Sequence, residues 1–156
     1  MSQRPLPPLC GATLGALVDS GAALLEAAGV CFGHGTTNAH DEAAWLVLWR
    51  LGLPLDTPLG DAPDSKQNRP VTQAELAQAA TLFEQRIATR KPAAYLTQEA
   101  WLQGVPFYVD ERSIVPRSLI AELIAEGSVD AFLSDTTHAV LDLCTGNGSL
   151  AVLAAM

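Results

Sequence analysis

The chain has 156 residues, 49% of them hydrophobic and 17% charged, with a formal net charge of −8. That length allows one domain or two small ones, and the acid excess argues against direct nucleic-acid binding, which needs a basic footprint. Cys10, Cys31 and Cys144 form no C-x-x-C pair, so they predict reduced thiols in a cytoplasmic protein rather than a disulfide framework.

Residues 1–30 are rich in alanine and leucine, but Pro5, Pro7 and Pro8 precede the apolar part, and Asp19 and Glu26 interrupt it. No stretch reaches the roughly 18 uncharged apolar residues of a membrane span, so no membrane contact is expected. The first ten residues are expected to be loose. A first helix follows over 13–28, with Leu14, Leu17, Val18, Leu24, Leu25 and Ala28 on one face and Gly29 just past its end. Gly15 and Gly21 weaken it, so it needs tertiary packing. His34 and His40 stand near Asp41 and Glu42, but without the tight spacing of metal ligands, and no metal is expected. Asn38 or Thr37 caps a second helix through Leu51, closed by Gly52 and Pro54. Its Trp45–Trp49 stretch is apolar all round, which places it centrally in a small bundle. Residues 54–70 have linker composition, with four prolines. Thr72-Gln-Ala-Glu75 is then a capping box opening a third helix. Leu76, Ala79, Ala80, Phe83 and Ile87 form its apolar stripe, and Arg86 and Arg90 lie in its last turn, where cations are favoured. Pro92 stops it.

The period then changes. Residues 99–110 read as a β-hairpin turning at Gln103-Gly104. A short strand over 113–115, a helix over about 119–126 closed by Gly127, and a short helix with a loop over 128–137 complete the approach to the last segment. That segment reads as a buried strand over Ala139–Leu143 ending at Asp142-Leu143, a turn through Gly146 and Gly148, and a helix from Ser149. Three readings of the turn compete. It is a structural strand-to-helix turn; or Gly146-x-Gly148-x-x-Ala151 is a dinucleotide fingerprint; or Asp142-Leu-Cys144-Thr145-Gly146-Asn147-Gly148 is the acid-x-Gly-x-Gly-x-Gly loop of S-adenosylmethionine methyltransferases, with Cys144 in the first glycine position. No Gly-Lys-Ser/Thr follows, so it is not a Walker loop.

Several ordered stretches carry one resemblance. Arg90-Lys-Pro-Ala-Ala-Tyr-Leu, Ala100-Trp-Leu-Gln-Gly-Val-Pro-Phe-Tyr-Val-Asp-Glu-Arg112, Val115-Pro-Arg-Ser and Leu141-Asp-Leu-Cys-Thr-Gly-Asn-Gly148 together resemble the protein-(glutamine-N5) methyltransferases, the group that includes the release-factor enzyme. The release-factor branch usually reads Pro-Arg-Pro-Glu-Thr-Glu where this chain has Pro116-Arg-Ser-Leu-Ile-Ala-Glu122. That departure is closer to the branch that methylates a glutamine of the third large-subunit ribosomal protein. The resemblance covers 86–153 strongly and the first 85 residues diffusely.

The resemblance implies an α+β chain: an N-terminal helical bundle over 1–91 that recognises the substrate, a β-hairpin linker over 92–118, and over 119–156 the first strand, loop and helix of a Rossmann-like methyltransferase domain. It implies S-adenosylmethionine as cofactor, held by Asp142, Cys144, Thr145, Gly146, Asn147 and Gly148. Trp101, Phe107 and Arg117 would face the protein substrate, a ribosomal protein, although for the aromatics hairpin core is an equal alternative. The family's Asn-Pro-Pro-Tyr motif and its ribose-binding acid are not present, so no catalytic residue is assigned. The expectation is the front part of a longer methyltransferase, inactive alone and prone to self-association through bare strand edges. The competing expectation is a non-catalytic, acidic helical module that docks a basic protein partner.

Overall fold

The computed structural model describes residues 6–156, which form two compact units meeting between Thr97 and Gln98. The expected looseness of the first ten residues therefore bears only on 6–10, which adopt no regular structure; residues 1–5 lie outside the described part.

The first unit is helical: α1 Leu14–Ala27, α2 Ala39–Arg50, α3 Gln73–Thr89 and the short α4 Ala93–Thr97. Each long helix starts on a side chain that takes up an otherwise unpaired N–H. Thr13 accepts from Ala16, Asn38 accepts from Asp41, and Thr72 forms the reciprocal box with Glu75. α1 and α2 end alike: Gly29 and Gly52 adopt positive φ, and the following Val30 and Leu53 donate back to Leu25 and Leu48. Leu17, Leu25, Leu46, Val47 and Phe83 are fully buried in the shared core. α2 packs against α1, α3 and α4, which is why its apolar residues go all the way round. α4 is not foreseen in the sequence; five residues after a proline leave no periodic signal.

Two local readings gain a second role. Arg86 lies in the last turn of α3 as expected, but it is also buried, its Nε donating to Glu42 Oε1 at 2.7 Å and its terminal nitrogen to the carbonyl of Cys31 at 2.9 Å. The Thr36 hydroxyl donates to the second oxygen, Glu42 Oε2, at 3.1 Å. And Gly21 does more than weaken α1: a Cβ there would lie 2.5 Å from the Phe83 ring, so its absence lets α1 and α3 approach. The 54–70 linker is tied down as well, Leu14 N–H donating to Arg69 O and Val71 N–H to Ala12 O.

The second unit holds the hairpin β1 Glu99–Leu102 and β2 Val105–Tyr108, then α5 Leu119–Ala125, a 3-10 turn Asp130–Phe132 and α6 Ser149–Ala155. The strands pair antiparallel with Trp101 opposite Pro106 and Ala100 opposite Phe107. Gln103 and Gly104 both have positive φ (50° and 75°), the signature of a two-residue type I′ turn. α5 packs against α6. The fold is thus mixed helix with a small two-stranded sheet. The strands expected over 113–115 and 139–143 are not formed, and β1–β2 is the only sheet among the described residues. The reason is pairing: a strand needs a neighbour for its N–H and C=O groups, and none lies beside 139–143, where Val140, Leu141 and Leu143 stay exposed.

Candidate functional site

The glycine turn is ordered by its own short bonds. Thr145 Oγ1 donates to Asp142 Oδ2 at 2.8 Å, and Gly148 N–H donates to Thr145 O at 2.9 Å. Asn147 Oδ1 accepts from Ser149 N–H at 3.3 Å where α6 begins. The backbone is the informative part. Cys144, Gly146 and Gly148 have φ of 62°, 59° and 81°. All three positions of the acid-x-Gly-x-Gly-x-Gly pattern are therefore left-handed, including the one occupied by cysteine. A non-glycine residue there is strained by its Cβ, so Cys144 adopts a glycine's conformation at a cost.

The turn suits the amino-acid end of a zwitterionic ligand. Asp142 offers a carboxylate to an ammonium group. The side-chain nitrogen of Asn147 is shielded from solvent and has no partner, a group that would otherwise carry a desolvation cost. On the side where Gly148 lacks a Cβ, nothing lies within 4 Å. α6 has seven residues, so its dipole is weak, and the loop's own polar groups are what could hold a ligand.

The residues expected to face substrate are not all together. In the hairpin register Trp101 shares a face with Pro106, Glu99 and Tyr108, whereas Phe107 lies on the other face with the buried Ala100. Trp101 and Phe107 therefore cannot wall one site from the same side of the sheet. Trp101 is half-exposed, its Nε1 donating to Glu99 Oε1 at 2.6 Å. Tyr108, not singled out in the sequence, is Trp101's companion. The turn at Gln103-Gly104 fixes the register, and period-two alternation from it would have found Tyr108. Arg117 is exposed between the buried Pro116 and Ser118, whose Oγ caps α5 by accepting from Ile120.

Below the tyrosine, Arg112 grips Asp110 through Nε and a terminal nitrogen at 3.0 and 2.6 Å. This guanidinium, the Arg112 N–H and the Tyr108 hydroxyl hold the Asp110 carboxyl down at about 2, and the same pairing raises Arg112. In the helical unit Arg69 and the Thr72 cap likewise lower Glu75 to about 2. Among the described residues no three His, Cys, Asp or Glu side chains cluster as metal ligands, and no helix is long and apolar enough to cross a membrane. All three cysteines are free and exposed.

No family model matches the chain. Comparison with individual proteins is more informative. The chain is 49% identical over 126 residues to the ribosomal protein uL3 glutamine methyltransferase of Neisseria meningitidis serogroup A, covering 80% of this chain and 40% of that protein. It is 46% identical over 147 residues to the protein of the same name from Burkholderia pseudomallei, covering 90% and 44%. For the Bordetella pertussis protein of that name the figures are 47% over 148 residues, 92% and 47%. The chain thus spans under half the length of these curated relatives. With near-half identity over four fifths or more of its own length, the chain is similar to the front part of the protein-glutamine methyltransferases to which it aligns.

Proposed function

We propose that the chain serves S-adenosylmethionine-dependent N5-methylation of a glutamine side chain in ribosomal protein uL3. The single observation that carries this reading is the Asp142–Gly148 turn, with three left-handed residues behind a carboxylate, in a chain aligned with relatives of that name. The cofactor, when bound, supplies an electrophilic methyl group. The task left to the protein is positioning, because an amide nitrogen is a poor nucleophile with its lone pair delocalised into the carbonyl. In this reading Asp142 takes the ammonium of the cofactor's methionine end and the Cys144–Gly148 loop holds the carboxylate with its polar groups. Residues 1–91 recognise the protein substrate, 92–118 link, and 119–156 open a Rossmann-like cofactor domain in which 139–143 becomes a strand once neighbours pair with it. Free thiols fit a reducing cytoplasm.

The test is methyl transfer from radiolabelled S-adenosylmethionine to uL3 by the longer protein that contains this sequence. D142N, which removes the charge but keeps the shape, is expected to weaken cofactor binding by about tenfold or more, in line with a charged hydrogen bond. Transfer at the wild-type rate and cofactor affinity in D142N would refute the role given to the turn. The alternative of an acidic helical docking module loses its electrostatic footing: residues 1–97 carry nine carboxylates against seven basic side chains, whereas 98–156 carry eight against two.

A further inference from the structure

We infer that the outward face of the β1–β2 hairpin is a docking platform for an arginine- or lysine-bearing segment of the protein substrate; this rests on the protein-methylation reading above. The register puts Glu99, Trp101, Pro106 and Tyr108 on that face, and Trp101 and Tyr108 are 48% and 60% exposed. Large aromatic side chains are usually well covered, and these two are held open rather than left loose. Glu99 fixes the indole, while the Tyr108 hydroxyl accepts from Gln98 Nε2 at 3.1 Å and donates to Asp110 Oδ2 at 3.2 Å. Each exposed ring is thus hydrogen-bonded to a carboxylate, and an aromatic surface with a carboxylate beside it attracts a guanidinium or ammonium. Arg112, its guanidinium on Asp110 and its side chain 83% exposed, shows that a guanidinium is accommodated at the edge of this face.

Charge selects the occupant. The unit around the hairpin holds eight carboxylates and two arginines, and such a field draws cations and repels phosphates. A ribosomal protein, which must lie against RNA phosphates, carries the basic segments this face complements. Single-stranded RNA could stack on the same rings, but the surrounding carboxylates oppose it.

The experiment is fluorescence anisotropy of a labelled arginine-glycine peptide titrated with the whole chain, with a glutamate-glycine peptide as control. The arginine peptide is expected to bind and the glutamate peptide not. W101A should weaken binding about threefold to thirtyfold, the span of a cation–π contact, while W101F retains most of it and guards against misfolding as the explanation. E99Q should weaken binding more than E126Q, which removes the same charge from the end of α5. Equal losses in E99Q and E126Q with W101A unchanged would overturn the platform, as would no peptide binding, or tighter binding of an RNA oligonucleotide to the same residues. Methyl transfer is scored separately in the longer protein. Transfer to uL3 with an unchanged KM in W101A removes the platform and leaves the enzyme reading; peptide binding without any transfer removes the enzyme reading instead.

Discussion

Three sites show how much one position can decide. Arg86 and Glu42 lie side by side out of water, and each is acceptable only because the other is there. R86A would leave a buried carboxylate without its cation and should cost about 3–5 kcal/mol in urea denaturation. The double replacement E42L/R86M should cost much less, since an apolar pair of similar volume asks for no compensation. Gly21 makes the opposite point. G21A improves helix propensity by about 1 kcal/mol, yet the added methyl meets the Phe83 ring, and overpacking of this kind costs about 1–3 kcal/mol. We expect a net loss, read as a lower Tm, with recovery in G21A/F83L. Cys144 is the third. Its left-handed φ should make C144G more stable than C144A by roughly 1 kcal/mol, because alanine keeps the Cβ clash that glycine lacks.

For whole elements, the capping box of α3 gives a pH prediction. Glu75 falls from its ordinary 4.5 to about 2 because Arg69 and Thr72 bond to its charged form. A carboxyl lowered on folding stabilises the protein fully above its unfolded value, and that contribution disappears as pH drops through the folded one. Between pH 4.5 and about 2 the Tm of the wild type should therefore decline more steeply than that of E75Q. The same elements show what was legible in the sequence. Caps, terminal glycines and the hairpin turn are local chemistry, and Asn38, Thr72, Gln103-Gly104 and Gly127 stand where that chemistry placed them, whereas Thr13, read as the first helical residue, is the cap of α1. The turn at 142–148 is legible as a turn, since Gly146 and Gly148 take positive φ, while its spacing leaves three readings of its role open. The segment over 139–143 was not legible, since an apolar run specifies a strand only where another strand can pair with it. The burial of Arg86 was equally invisible, because its partner lies 44 residues away. The face of the hairpin follows from its register, which puts Tyr108 rather than Phe107 beside Trp101.

For the molecule as a whole, the two units are unequal in what they bury. The main core is drawn from α1 to α4, while the second unit buries little beyond Ala100, Val109, Val115 and Ala121. Amide exchange should follow that division: slow in α1, α2 and α3, and fast over 133–143, where no regular structure protects the backbone. Exposed Val140, Leu141 and Leu143 should also drive self-association. Light scattering at rising concentration is expected to show oligomers, fewer in L141K/L143K; a monodisperse monomer throughout would count against it.

The uneven spread of bare apolar side chains has a consequence for biogenesis. Among the described residues, every exposed large hydrophobic except Leu6 lies beyond residue 100. Translation delivers residues 1–97 first, and at about 5–20 residues per second the following 59 need roughly 3–12 s. The bundle can close within that interval behind a polar exterior. The nascent chain then meets chaperones with its adhesive part arriving late, attached to a partner that has already finished folding.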